Sequence, residues 1–245
     1  MIEGMYTAAS GMAAQQARID AVSGDLANAN TTGYKSNRMA FRDLLYQTPG
    51  AGGTAQDIKV GSGSAAVSVG RNMSAGSFQQ TDRPLDVALS GPGFIQVRNS
   101  DGKTALTRDG NLTFDSKGRM TLASGELLHP PVTLPPKTNE SDVTIGTDGS
   151  VNAKNQKVGQ ITLMEVRAPG QLYPSSNNTF TVSPASGAAT AATATTVAPG
   201  VLESSNLDMA SAMVQMIESQ RAYQLASRAV RMQDQVWEIA NQVKR

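Results

Sequence analysis

The chain has no cysteine and a single histidine. Without thiols there is no disulfide framework, no thiolate zinc site and no cysteine nucleophile. His129, in Leu127-Leu128-His129-Pro130-Pro131, has no neighbouring residues at the spacing that a metal site or a catalytic triad requires. It reads as a strand-end histidine. Aromatic residues are only 4% of the 245 and apolar residues 39%. That is thin for one packed globule of this length, and it implies apolar surface completed by other copies of the chain. Lys and Arg number 21 against 20 Asp and Glu, with no block of one sign, which excludes the basic footprint of a nucleic-acid or anionic-membrane binder. No apolar run approaches the length of a membrane span. The N-terminus, MIEGMYT, carries an acid where a secretory signal carries a base. The sequence therefore predicts no cofactor, no metal, no nucleic acid and no membrane insertion, and an export route, if used, that leaves the N-terminus uncut.

What is present is periodicity at both ends. Met5, Ala8, Met12, Gln15, Ile19, Val22, Leu26 and Ala29 alternate spacings of three and four, a heptad seam with one polar member, Gln15. Gly4, Gly11 and Gly24 each weaken this helix by roughly 1 kcal/mol relative to alanine, so it is firm only when packed. At the other end Ala222, Leu225, Ala229, Met232, Val236, Ile239 and Val243 form a second seam. Met216, Tyr223, Val230 and Trp237 repeat every seven residues beside it. Two adjacent stripes make an apolar face wide enough for more than one neighbour. Ser205 and Asp208 have capping-box spacing, with the helix expected from about Leu207 to Val243. Met5, Met12, Met213, Met216 and Met232 fit adaptable packing on these faces better than a cofactor site.

Between the ends the signals are β. From Pro84, short alternating or apolar runs (Leu85-Val87-Leu89, Phe94 to Val97, Val143-Ile145, Ile161-Leu163, Phe180-Val182) are separated by DG and KG turns at 99–102, 108–110, 115–118 and 147–149, which predict hairpins. Residues 47–80 are rich in Gly, Ala, Ser, Gln and Thr, and 183–200 is a low-complexity run expected to be a flexible connection. The predicted class is α+β: long N- and C-terminal helices paired in a coiled-coil-like tube domain, with a β-rich outer domain between them. The expected divisions are 1–35, N-terminal helix and joint; 36–83, extended connection; 84–182, β-rich domain; 183–204, flexible connection; and 205–245, C-terminal helix.

Catalytic chemistry is sparse. GSGS at 61–64 and SGPGF at 90–94 lack the Lys-Ser/Thr ending and the strand-to-helix context of a phosphate loop. The pairs Asp82/Asp86 and Glu126/Asp142 have the composition of a glycosidase site, but carboxylates pair by chance often, and they read as solvated charges or turn residues. Arg83 and Asp86 read as a structural pair at a strand start.

LANANTTGYK (26–35) ends the first helix with an unusually polar stretch. It resembles the signature of the bacterial flagellar rod and hook axial proteins. RPLDVALSGPGFIQV, ALTRDGNLTFDSKGRMTLASG and GVLESSNLDMASAMVQMIESQRAYQLASRAV resemble later parts of the same family, in the same order, so the likeness runs end to end. Among its members the chain resembles the basal-body rod proteins, which lack the extra outer domains of hook proteins. FRDLLYQT (41–48) resembles the distal rod type, favoured over the proximal type that MYTAASGM and DRPLDVAL resemble.

The resemblance implies a non-enzymatic structural subunit that self-assembles into a rigid helical tube and transmits torque to the hook. It implies neighbouring rod and hook proteins, basal-body rings as bushing and the flagellar type III export apparatus as partners, and a place in the basal body across the periplasm. Its subunit interface would comprise Met5, Met12, Ile19, Val22, Leu26, Met213, Met216, Tyr223, Leu225, Val230, Met232, Val236, Trp237 and Ile239. Asn28, Asn30, Thr32, Gly33, Tyr34 and Lys35 would form the joint between tube helix and outer domain. Two other readings are a secreted cell-wall-cleaving enzyme and a coiled-coil adhesin.

Overall fold

The computed structural model describes residues 2–44, 46–47, 60–61, 63–99, 101–136, 138–154 and 156–243. Most of the glycine-rich stretch after Phe41–Thr48 lies outside the described residues. Helix α1 (Ile2–Ala27) lies at one end and helix α2 (Met209–Val243) at the other, and everything regular between them among the described residues is strand or short 3-10 helix. The class is α+β with a β-rich middle between two helices.

The chain divides into two compact units. The first holds Met1–Ala27, Asn37–Val69 and Asp208–Arg245. At 35 residues, α2 is about 52 Å long, and it packs along α1. Asp208 caps it: the Ala210 N–H donates to Asp208 Oδ1 at 3.1 Å. The expected cap, Ser205, lies outside the helix and instead accepts the Leu207 N–H. A two-stranded ribbon of Asn37–Asp43 and Ser64–Arg71 adjoins α1, where Asp25 accepts the Asn37 N–H. Ser10 Oγ accepts the Ser64 N–H, and the Arg18 guanidinium sits 5.8 Å over the Phe41 ring.

The second unit holds Asn28–Ser36 and Gly70–Leu207. Its centre is a nine-stranded sheet. Phe94–Arg98 pairs antiparallel with Thr104–Thr107, with Leu127–Leu128 and with Leu163–Val166. Period-two alternation places Ile95 and Val97 in the main core with Leu85, Val87, Leu112, Met120, Leu122 and Val143, while Phe94 joins Leu106, Val166, Leu172 and Phe180 on the other face. The turns at 99–102, 115–118 and 147–149 form as expected, with left-handed glycines at 102, 118 and 149.

Three expectations are corrected. Arg108-Asp109-Gly110 is not a hairpin: the strands on either side of it, Thr104–Thr107 and Leu112–Phe114, stand apart in the sheet order. Gly110 is there because a Cβ would meet the Val87 carbonyl oxygen. Residues 183–204 are not a flexible connection. They contain the strands Ala189–Ala191, Thr196–Pro199 and Val201–Glu203, each paired to an earlier strand; tertiary partners supply ladder bonds that local composition does not announce. Among the described residues, 36–83 carries five strands rather than an extended connection.

Candidate functional site

The joint begins where α1 stops. The Thr31 N–H and Tyr34 N–H close turns onto the carbonyls of Asn28 and Thr31, satisfying part of what a helix end leaves open. Gly33 then takes φ +64°. A side chain there would be strained, and its Cβ would lie 2.5 Å from the Arg108 carbonyl carbon. The reason for the tight approach is a chain crossing: the Gly33 N–H donates to the Glu203 carbonyl at 2.7 Å, and the Asn206 N–H to the Tyr34 carbonyl at 3.3 Å. The Ser36 N–H donates to Asn206 Oδ1 at 2.9 Å. The segment leaving α1 and the segment approaching α2 are thus bound to each other within the β unit. The 28–36 segment belongs to that unit rather than to the helix that precedes it.

Side chains complete the bond. Lys35 Nζ donates to Glu203 Oε1 at 2.6 Å and to the Ser74 carbonyl at 2.7 Å, and both members of the ion pair have 0% side-chain exposure. Glu203 also accepts the Gly76 N–H at 2.9 Å and faces Arg108 Nη1 at 3.4 Å. Arg108 in turn donates to the Gly91 carbonyl at 2.7 Å and lies 5.2 Å over the Phe94 ring. One buried carboxylate therefore serves two buried cations. Burial pulls the Lys35 ammonium below its ordinary value, against the upward effect of Glu203.

Arg71 donates to the Lys35 carbonyl at 2.7 Å and stacks 5.3 Å over Tyr34 and 5.6 Å over Phe180. On the other side Thr32 Oγ1 donates to Asp109 Oδ1 at 2.6 Å. Asn178 Nδ2, from a turn in which Asn177 and Asn178 both have positive φ, donates to the Thr32 carbonyl at 2.9 Å. Burial raises the Asp109 carboxyl above the usual range, partly offset by the Thr32 hydroxyl. Of the joint residues expected, Thr32, Gly33, Tyr34 and Lys35 are the docked ones. Asn28 acts in the turn, its Oδ1 accepting the Thr31 hydroxyl at 3.2 Å, and Asn30 is exposed. The partners Arg71, Arg108, Asp109, Glu203 and Asn206 were not singled out from the sequence. An uninterrupted Leu202-Glu203-Ser204-Ser205-Asn206 flanking the last helix gives no local sign that its acid is buried.

In the helical unit, Val22 is buried and Met5, Met12, Ile19 and Leu26 are half-buried. On α2 the side turned inward is not the main seam. Ala212 and Ser219 are buried, with Met216, Ala226, Val230 and Gln233 half-buried. Leu225, Met232, Val236 and Ile239 remain 53–64% exposed, Met213 51% and Tyr223 37%. The Trp237 side chain lies outside the described residues. Gln15, the polar member of the first seam, keeps a buried Oε1 without a hydrogen-bond partner among the described residues.

Three of the carboxylates weighed for catalysis are engaged as acceptors: Asp82 accepts Gln80 Nε2 at 2.7 Å, Asp86 pairs with Arg83, and Glu126 accepts Asn177 Nδ2 at 2.7 Å and the Ser124 hydroxyl. No group of three or more His, Cys, Asp or Glu suited to a metal occurs among the described residues.

Three family descriptions match in chain order: flagella basal body rod protein over residues 5–35, flagellar hook protein FlgE/F/G D1 domain over 88–153, and flagellar basal body rod FlgEFG protein C-terminal over 198–243. The flagellar basal-body rod protein FlgG of Caulobacter vibrioides is 36% identical, over 99% of this chain and all of the relative. The chain belongs to the flagellar basal-body rod protein family. Within that family, the FlgG proteins of Borreliella burgdorferi and Bacillus subtilis are 34% and 31% identical, each over 100% of both chains. The rod-protein match ends at Lys35 and the C-terminal match includes Glu203, so the buried ion pair joins the two terminal family regions. These relatives bear the names of structural rod components and carry no catalytic designation.

Proposed function

We propose that the chain is a distal-type subunit of the flagellar basal-body rod, which self-assembles through its helical unit into a rigid tube carrying motor torque to the hook. The observation that carries this reading is the apolar row Leu225, Met232, Val236 and Ile239, left exposed on α2 in a chain akin to rod proteins over its full length. Water is a costly neighbour for such a row, and other copies of the chain are its natural cover. Heptad spacing supports coiled-coil-like packing, with Met5, Met12, Ile19, Val22 and Leu26 on one helix and the exposed α2 row on the next.

In this reading the β unit is the outer domain, and the Lys35–Glu203 pair binds together, within that unit, the chain segments next to the two helices. Adjacent rod and hook proteins cap the two ends of the stack, the rings act as bushing, and the type III apparatus exports the chain uncut to its place across the periplasm. No helix among the described residues is long and apolar enough to cross a membrane.

The test is electron microscopy of basal bodies from a strain deleted for the gene. A rod that is missing or stops short is the expected result, and the point of truncation separates distal from proximal. An intact rod and hook overturns the reading.

A further inference from the structure

Three of the eleven methionines stand on the first turns of α2. Met209, Met213 and Met216 are spaced four and three apart and so share one helix face. Met209 and Met213 are about half exposed and Met216 half-buried. Met232 lies further along α2 within the exposed apolar row, also more than half exposed. In contrast, Met120 is wholly enclosed in the core of the β unit. The chain thus places thioethers, the most easily oxidised side chains in a cysteine-free protein, on the surface it has left uncovered, while shielding another in its core.

We propose that peroxide oxidation at Met209 and Met213, at the start of α2, and at Met232, about 34 Å further along it, decides whether the free chain can assemble; this rests on the self-assembly reading above. The reaction is a two-electron oxygen transfer from a hydroperoxide. The sulfur lone pair attacks the terminal peroxide oxygen, an S–O bond forms and the O–O bond breaks. Sulfur is oxidised to the sulfoxide, and the peroxide is reduced to water or an alcohol after taking up the proton released. Each event turns a flexible apolar side chain into a rigid dipole with a strong acceptor. A sulfoxide on a face that must be covered by apolar neighbours carries an acceptor with no donor opposite it. Burial in the assembled tube would then protect the same sulfurs, so the sensitivity belongs to the subunit before incorporation.

The experiment treats the full-length, unassembled chain with hydrogen peroxide and follows each methionine by peptide mass spectrometry. Oxidation of Met209, Met213 and Met232 is expected at least about tenfold faster than that of Met120; equal rates at all four overturn the proposal without touching the rod reading. Polymerisation of the same samples is then followed by light scattering and electron microscopy. Oxidised chain is expected to polymerise at least about tenfold more slowly, and methionine sulfoxide reductase to restore the rate. Chain carrying Met209→Leu, Met213→Leu and Met232→Leu, substitutions that keep volume and apolar character, is expected to polymerise before and after peroxide alike. Full polymerisation of oxidised wild-type chain overturns the inference and leaves the rod reading standing. Failure of untreated chain to polymerise under any condition overturns both.

Discussion

Lys35 Nζ stands 2.6 Å from Glu203 Oε1 across 168 residues of sequence, and water reaches neither side chain. Around this contact the N-terminal and C-terminal ends of the β unit close on each other. Arg108 shares the carboxylate, so the two cations do not depend on Glu203 to the same degree as it depends on them. Glu203→Leu strands two buried cations. Lys35→Met leaves Glu203 with Arg108 and the Gly76 N–H. Both are expected to destabilise the β unit, Glu203→Leu toward the upper end of about 3–5 kcal/mol and Lys35→Met toward the lower. Denaturant unfolding of the two single variants and the double variant checks this, and the double must lose less than the sum of the singles. Additive losses would mean that the pair is not coupled.

Gly33→Ala tests the crossing itself. The left-handed backbone at φ +64° costs a residue with a Cβ about 1–2 kcal/mol. Overpacking against the Arg108 carbonyl carbon at 2.5 Å adds about 1–3 kcal/mol. The Tm of the β unit should fall accordingly, and Gly24→Ala, in α1 of the helical unit, where a Cβ meets nothing within 4 Å, should leave it unchanged.

Asp109 gives a pH signature. Its carboxyl is raised above the ordinary value, chiefly by burial. The folded state therefore holds a proton that the unfolded chain has already lost. The stability this adds is complete below the unfolded carboxylate value and is lost as pH rises through the folded one. Asp109→Asn keeps an oxygen to accept from Thr32 Oγ1 and from the Asn111 N–H. Stability measured against pH should lose that part of its acidic slope, and the variant should be no less stable than the parent at neutral pH. A variant with an unaltered slope would count against the assignment.

Leu225→Asp and Ile19→Asp probe the helical faces. Leu225 is 64% exposed, so its replacement should leave the folded chain intact while abolishing rod assembly, scored by motility and by electron microscopy of basal bodies. Ile19 is half-buried in the helical unit, and its replacement should abolish assembly while the β unit retains its cooperative unfolding transition. Normal rods from either variant would contradict the assembly reading.

Both helices were legible in the sequence because a helix is written in contacts three and four residues apart, so Met5 to Leu26 and Leu225 to Ile239 declare themselves locally. The three glycine turns at 102, 118 and 149 were legible for the same reason: a positive φ has few occupants. Asp208 was legible as part of a cap signal, though Ser205 competed for the place. The strands within 183–204 were not, because small residues such as Ala189 to Ala191 join a sheet only when Leu163–Val166 offers its edge.

By itself, then, the sequence determined two amphipathic helices, a β-rich middle with its tight turns, and the polar joint at 28–35, since each is encoded within a few residues. Tertiary structure alone decided which α2 face turns inward, and that Ala212, Ser219 and Ala226 take it while Leu225 and Ile239 stay outside. Two apolar stripes on one helix look alike in one dimension, and small side chains admit the closer helix approach. It also decided that Glu203 finds Lys35 and Arg108, because a charge's partner is set by folded distance and desolvation, neither of which the order of residues records.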